Sequence, residues 1–362
     1  MRVLFGTGHS YLPQRSGGSE SSTHDLCIEM QKQGIEPGVL ASIEPEGWLG
    51  LKNRLQRRVF SQREFPADRT MGYPVYRGWH PETGIAEVAM RFKPDVAILQ
   101  AGRPLQFASL LLDQGIPSIV YLRDILFDKL GGDVEKLPGL RYIANSRFTA
   151  DTFEDHTGIT APVVPPLVRP EAYRTETARQ AVVFVNPHPF KGAETAFMMA
   201  ERRPDIPFDF VEGWPLKDEL LAEYQSRARA LGNIRWIPRQ NDMRKVYANA
   251  RIVLAPSQAA YEAWGRIVTE AHCSGIPVIA SKSGGLPESV GPGGLLVDPE
   301  GAPENWLSAL SEIWDDQDRY ESYASSALEY GKRDAIQPET LIRKVIEICE
   351  DCRNAFQNTA SS

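Results

Sequence analysis

The run EAWGRIVTEAHCSGIPVIASKSGGLPESVG, from Glu262 to Gly291, sets two carboxylates on either side of a glycine and an apolar turn. Glu262 falls on a loop after the strand-like run Arg251–Ala255 and the pair Pro256–Ser257. Gly265 opens the helix-spaced segment Arg266–Ser274, and Gly275 closes it. A helix start presents unpaired N–H groups and the positive end of a dipole, which together suit a phosphate. The amides concerned are those of Gly265, Arg266, Ile267 and Val268, and the Arg266 side chain adds a full charge in the same turn. Carboxylates suit paired hydroxyls because they only accept hydrogen bonds and offer several lone-pair sites. Glu262, at the loop, is placed for sugar hydroxyls; Glu270, a turn into the helix, is placed for a ribose diol behind the phosphates. After the next strand, Ser283–Gly284–Gly285 lets backbone approach a ligand closely.

Such a site needs strands that end together and helices that start beside them. Strand-like and helix-like segments alternate along the chain, which favours parallel sheets covered by helices. Arg2–Phe5 reads as a first strand, Glu20–Gln33 as a helix ended by Gly34, and Ile35–Ala41 as the next strand. Further strands are expected at Asp95–Gln100, Ile116–Leu122 and Tyr142–Asn145, with helices at Pro104–Gln114 and Arg147–His156, the latter capped by Ser146. A Pro-rich and then polar run, VVPPLVRPEAYRTETARQ, interrupts the pattern, which restarts at Ala181. The expected division is a domain over 1–167, a linker over 168–180, a second domain over 181–335, and a C-terminal helix and tail over 336–362 that packs back toward the first domain. The fold class is α/β, with two Rossmann-like doubly wound parallel-sheet domains facing across a cleft.

Length and composition agree. A chain of 362 residues suggests two domains. Its 42% hydrophobic and 24% charged residues are ordinary for a soluble globular protein. The net charge of −7 argues against a nucleic-acid binder. No apolar run reaches the roughly 18 residues of a membrane span, and the N-terminus reads as a strand rather than a signal peptide. The four cysteines make no disulfide framework, and Cys349-x-x-Cys352 reads as two thiols on a helix. A cytoplasmic location follows as an expectation.

The spacing Glu262-x7-Glu270, with Pro256–Ser257 before it and GIPVIAS…GGLPE after it, resembles the retaining family-4 glycosyltransferases of GT-B fold (glycosyl transferases group 1). The resemblance implies that Glu262 faces the donor sugar, that Glu270 binds ribose, and that amides at the intervening helix start hold a diphosphate. VNPHPFKGAE, Val185 to Glu194, resembles the family's loop that sets an Arg and a Lys on the donor phosphates. Lys191 matches the lysine; Asn186 stands at the arginine position, with Arg266 or His188 as candidates to supply the missing charge. The region of Arg239 corresponds to a strand end near the nucleotide base. Gly17–Gly18, ahead of a helix that Ser19 is placed to cap, corresponds to a loop approaching the transferred sugar and acceptor.

Arg123, before Asp124, stands where many relatives carry a histidine. An arginine keeps its proton and cannot act as a base, so Arg123 either holds an anion on the acceptor side or has a structural role beside Asp124. The resemblance therefore implies a transferase moving a hexose from a UDP- or GDP-linked sugar to an acceptor hydroxyl, with no required cofactor and no metal. Its catalytic set is Glu262, Lys191 and Arg266. A sugar-nucleotide-binding subunit without transfer activity, and a sugar-nucleotide epimerase, are the alternatives. Finally, Trp48 to Phe60 brings Trp48, Leu51, Leu55 and Val59 near helical spacing, with Lys52, Arg54, Arg57 and Arg58 mostly elsewhere on the wheel. That pattern suits either an ordinary amphipathic helix or basic acceptor-site loop, or a peripheral contact with anionic lipid.

Overall fold

The computed structural model describes the chain except residues 60–63, 135–138, 259–261 and 361–362. It divides into two units, Met1–Leu167 with Pro338–Ser362, and Val168–Gln337. The first unit has strands β1 (Arg2–Ser10), β2 (Glu36–Ser42), β3 (Ala67–Asp68), β4 (Val75–Arg77), β5 (Val96–Gln100), β6 (Ser118–Leu122) and β7 (Leu140–Ala144). They form one sheet in the order β3-β4-β2-β1-β5-β6-β7, parallel except for the β3–β4 edge pair. Between them run α1 (Gly18–Lys32), α2 (Gly47–Val59), α3 (Ile85–Phe92), α4 (Pro104–Leu112) and α5 (Arg147–Thr157).

Near-continuous apolar runs are what a sheet buried on both faces requires. Successive side chains alternate between the faces. On β1, Leu4 enters one core with Leu99 and Phe107, while Val3 and Phe5 enter the other with Leu26 and Met30. The short edge strands β3 and β4 were not legible as strands, because two or three residues carry no period. They are held instead by Arg77, which is 1% exposed. Its Nε donates to Asp68 Oδ2 at 2.7 Å, and its Nη1 and Nη2 donate to the carbonyls of Tyr11 and Leu12 at 3.2 and 2.6 Å. A buried guanidinium is tolerated only when paired and hydrogen-bonded, and here those bonds fix the segment leaving β1. Gly17, rather than Ser19, occupies the cap position of α1, and no side chain caps it. Ser146 does cap α5, accepting from the Thr149 N–H at 3.0 Å.

The second unit has β8 (Ala181–Val185), β9 (Phe208–Val211), β10 (Ile234–Ile237), β11 (Ala250–Ala255), β12 (Val278–Ser281) and β13 (Gly294–Val297). Their order is β10-β9-β8-β11-β12-β13, and every pair is parallel. Its helices are α6 (Pro170–Tyr173), α7 (Ala193–Arg202), α8 (Asp218–Leu231), α9 (Arg244–Tyr247), α10 (Arg266–His272), α11 (Leu286–Val290), α12 (Pro303–Trp314) and α13 (Gln317–Tyr330). The segment expected as a linker lies along this unit. Arg174 Nε donates to the Cys273 carbonyl at 3.2 Å, Thr175 N to Ser274 Oγ at 3.0 Å, and Ala178 N to the Ala248 carbonyl at 2.7 Å.

The last helix, α14 (Pro338–Ala360), returns to the first unit. Leu341, Ile342, Val345, Cys349 and Cys352 join Val3 and Phe5 in one core. Both cysteines are therefore packing residues, and burial pushes their thiols up, Cys352 to about 11. Among the described residues no group of His, Cys, Asp and Glu is placed to hold a metal, and no helix is long and apolar enough to cross a membrane.

His272, on α10, is fully buried, with its ring 6.3 Å from that of Tyr330. Burial first, and then the Arg333 charge, push its pKa down from 6.5 to about 3, against the opposing effect of a backbone contact at Gly293. A histidine depressed in the folded state binds its proton more readily when unfolded. Its contribution to stability is thus fully present above pH 6.5 and is lost as pH falls from 6.5 toward 3. Urea unfolding at pH 6.5 and 5 should show about 2 kcal/mol more acid destabilisation in the parent protein than in His272→Leu. Equal acid sensitivity of the two proteins would contradict this assignment.

Candidate donor site at the ends of β8 and β11

In the second sheet the strand order reverses between β8 and β11, so their C-terminal ends flank a crevice of the kind that binds ligands in open α/β sheets. Lys191 arrives from β8 through a short 3-10 turn, Pro189–Lys191. The turn closes on Gly192 at φ +80°, and a Cβ there would lie 1.9 Å from the Pro256 carbonyl oxygen. Only glycine permits that conformation and that approach, and both bring Lys191 against the end of β11. From the β11 side comes Glu262. Its Oε2 accepts from Lys191 Nζ at 2.5 Å and lies 3.4 Å from Ser257 Oγ; its Oε1 accepts from Gly265 N at 3.2 Å. Both side chains of the pair are mostly buried, 14% and 21% exposed. An ammonium has three donors, so Lys191 keeps donors for an anion while one points at Glu262.

Gly265 takes φ +82°, the left-handed region, and turns the chain into α10. Arg266 does not stand out into the crevice. It is 6% exposed, its Nε donates to Glu270 Oε1 at 2.8 Å, and its Nη2 donates to the Tyr173 hydroxyl at 2.6 Å. The expectation of a phosphate-facing arginine thus meets a different geometry, in which the charge of Arg266 is spent on Glu270. The other oxygen of Glu270 accepts from the Tyr247 hydroxyl at 2.7 Å. Burial, reinforced by the Glu270 charge, holds the Tyr247 phenol well above its usual pKa, so it remains a donor. Glu270 is itself only 6% exposed. Ile267 and Val268 follow in the same helix, and Val268 N bonds back to the Gly265 carbonyl at 2.9 Å.

Asn186 sits at the end of β8 with φ +66°. Asparagine tolerates this left-handed conformation better than most residues. Its backbone N–H reaches the Val211 carbonyl at 2.7 Å, and its Oδ1 accepts from Trp214 N at 2.9 Å. Asn186 therefore couples the loops after β8 and β9 and carries no charge into the site. His188 lies beside it, and burial followed by the Lys191 charge lowers its pKa, which favours a neutral ring. Arg239 follows β10, two strands from β8, a separation of about 10 Å by ordinary strand spacing.

Gly17, Gly18, Arg123 and Asp124 belong to the first unit. Gly17 is extended at φ −162°, an ordinary conformation. Arg123 is braced on several sides. Its Nε donates to Gln100 Oε1 at 2.8 Å, its Nη1 lies 3.3 Å from Ser22 Oγ, and its guanidinium lies 3.5 Å from the Tyr121 ring centre. Gln100 Nε2 in turn donates to Thr23 Oγ1. These contacts tie the end of β6 to the first turns of α1, favouring the structural alternative for Arg123. Burial raises the Asp124 pKa. The loop after β5 holds Ala101, Gly102 and Arg103 consecutively at positive φ, and His9 stands beside it, 3.9 Å from Glu20. Non-glycine residues in that region store strain and cluster at functional sites.

Sequence reasoning missed Tyr247 and Tyr173, whose partners are 23 and 93 residues away, and Trp214, whose proximity to Lys191 only the fold creates.

The comparisons with known proteins bear on this geometry. The family model described as glycosyl transferases group 1 matches residues 191–330. The D-inositol 3-phosphate glycosyltransferase of Corynebacterium kroppenstedtii is 37% identical over 118 residues, 31% of this chain and 26% of that protein. The O-antigen chain mannosyltransferase B of Escherichia coli is 35% identical over 107 residues, 29% of this chain and 27% of that protein. The chain thus spans only about a quarter of the length of these relatives. Among solved structures, Anabaena HepE in complex with UDP and glucose superposes with a TM-score of 0.73 at 19% identity, covering 97% of this chain and 100% of that one. Sucrose-phosphate synthase from Thermosynechococcus elongatus superposes with a TM-score of 0.75 at 13% identity, with both chains fully covered. The chain has the GT-B fold, and residues 191–330 of its second unit match the family model of the glycosyl transferases group 1.

Proposed function

We propose that this protein is a retaining glycosyltransferase that moves a hexose from a UDP- or GDP-linked sugar to an acceptor hydroxyl, in the assembly of a polysaccharide, lipid or small-molecule glycoside. The observation that carries the reading is the contact of Lys191 with Glu262, at 2.5 Å, across the ends of β8 and β11. Glu270 supports it from within α10. The UDP and glucose bound by the structural relative HepE, and the transferase names of the sequence relatives, point the same way.

In this reading Lys191, with the start of α10 beside it, stabilises the charge that grows on the distal phosphate as the bond to the anomeric carbon breaks; of the amides expected there, those of Gly265 and Val268 are engaged by Glu262 and the Gly265 carbonyl. Preorganised charge of that kind is usually the largest catalytic contribution. Glu262 holds Lys191 and faces the transferred sugar. Glu270 accepts from the ribose hydroxyls, with Arg266 and Tyr247 fixing its orientation, so Arg266 is a positioning residue rather than a phosphate ligand. Asn186 shapes the loop, and Arg239 lies toward the base. The acceptor hydroxyl attacks the face that the diphosphate leaves and passes its proton to the departing phosphate oxygen, so the product keeps the anomeric configuration. Gly17 and Gly18 approach the donor sugar, and Asp124 is assigned to the acceptor side, where Arg123 braces the end of β6 against α1. No divalent metal is needed, because the cationic role falls to Lys191. The proposed setting is the cytoplasm.

Titration calorimetry with UDP, GDP and their glucose and mannose conjugates tests the donor site. One nucleotide should bind, and Glu270→Gln should weaken it roughly tenfold or more, the loss of a charged hydrogen bond. Binding of none of them would remove the donor reading. Turnover by Lys191→Ala should fall on the order of a hundredfold with the nucleotide affinity less affected. A product of inverted configuration would exclude retention.

A specific observation also favours contact with a membrane surface. On α2, Trp48, Leu51 and Leu55 are 70%, 47% and 53% exposed, while Leu49 and Asn53 face inward. Arg54 and Arg58 are exposed and Lys52 is partly so. Phe60, the end of the segment first considered, lies outside the described residues. Anionic vesicles should float the protein, neutral vesicles should not, and Trp48→Glu with Leu51→Glu should abolish flotation. Protein left at the bottom with anionic vesicles would count against the surface.

A further inference from the structure

The second unit hides its large apolar side chains well. Among its described residues only Phe190, Trp214 and Leu328 are exposed, at 44%, 36% and 37%. Two of these three stand at one place. Phe190 and His188 stack with ring centres 5.1 Å apart and planes 26° apart. Trp214 meets the His188 ring edge-on at 5.9 Å. Lys191 Nζ lies 5.1 Å from the centre of the Trp214 ring. The cluster is held in place, since Asn186, itself in a left-handed conformation, accepts from the Trp214 N–H. Exposed aromatic rings are costly unless something covers them, and rings packed around a binding lysine are placed for a ligand face.

The order of contacts says which part of a ligand that is. Glu270 pairs with Arg266 at the start of α10, Glu262 reaches Gly265 at that start, Lys191 reaches Glu262, and Trp214 reaches Lys191. In a nucleoside-diphospho-sugar the sugar hangs from the distal phosphate, and Lys191 contacts Glu262, assigned above to that sugar, as well as Trp214. A ring that shares the phosphate-binding lysine with the sugar-facing carboxylate stands at the sugar end of the ligand rather than at the ribose of Glu270. A pyranose presents an apolar C–H face that suits the negative face of an aromatic ring, while its hydroxyls suit the neighbouring carboxylate of Glu262.

We propose that Trp214, Phe190 and His188 form an aromatic platform that stacks a pyranose ring next to Lys191, and that Trp214 is its main specificity determinant. This rests on the donor reading above. The pyranose is either the sugar of the donor or a saccharide acceptor, and both use the same chemistry.

The test is calorimetry on the full chain with Trp214→Ala, and with Trp214→Phe to retain a ring. The probes are UDP, UDP-glucose, GDP, GDP-mannose, and maltose added to nucleotide-loaded protein. If the donor sugar stacks, Trp214→Ala lowers the affinity for the sugar nucleotide relative to its free nucleotide roughly five- to tenfold, and Trp214→Phe restores most of it. If an acceptor saccharide stacks, that ratio holds and maltose binding weakens by a similar factor. Equal weakening of nucleotide and sugar nucleotide, with maltose binding unchanged, would assign the ring to the nucleotide and overturn the proposal. So would unchanged ratios together with maltose binding that is unchanged or absent. A parent protein that binds no nucleotide fails the donor reading and this proposal with it, whereas nucleotide binding with no saccharide effect fails the platform alone.

Discussion

A lysine and a glutamate 71 residues apart meet because β8 and β11 are neighbours in the sheet. The chain lays down β8, β9 and β10 outward in one direction, then returns to place β11 on the other side of β8. Only at that reversal do the loops leaving two adjacent strands diverge and open a crevice. Everything in the candidate site is hung from it. Gly192 lets the β8 loop touch the end of β11, and Gly265 turns the β11 loop into α10. The pair itself draws part of its strength from limited exposure, since charges shielded from water interact more strongly than charges on a surface.

The distribution of cations around this pair is economical in an informative way. The loop after β8 offers Lys191 and, at the position where its resembled family sets an arginine, a neutral asparagine. Arg266 does not replace that missing charge, because its guanidinium is engaged by Glu270 and Tyr173. A buried carboxylate held by a fixed guanidinium and a phenol keeps its orientation. In the proposed reading Lys191 is the cation offered to a phosphate, while Arg266 orients Glu270 for a ribose. Asn186 contributes geometry, since its side chain sets the loop that carries Trp214.

The α/β class and the strands that end at the site could be read from apolar runs and glycine positions, because buried parallel strands leave that trace in the sequence. Glu262, Glu270 and Lys191 stood out through their spacing and flanks, and the fold brings Lys191 to Glu262. What spacing could not convey was direction. Arg266 sits in the first turn of α10 either way, and whether it points outward or back along the helix depends on Tyr173, which arrives from a segment expected as a linker. Arg77 was illegible for a related reason. Its partners, Asp68 and the carbonyls of Tyr11 and Leu12, converge only once a seven-stranded sheet has formed. The same holds for the aromatic cluster: Phe190 and Trp214 belong to different loops, and no periodicity links them.

The first unit shows how a charge can be diverted from chemistry to architecture. Arg123 is fixed to Gln100 and lies against Ser22 and the Tyr121 ring, and Gln100 continues the network to Thr23. Ser22 and Thr23 lie just past the start of α1, which follows Gly17 directly. A planar guanidinium with donors at fixed angles can brace three elements at once, which a histidine at the same strand end cannot do. An arginine there forgoes proton transfer and gains rigidity for the loop ahead of α1. A titratable group beside this region lies on β1: His9, whose pKa burial lowers, next to Glu20. A neutral imidazole there stands next to a backbone loop strained at Ala101 and Arg103.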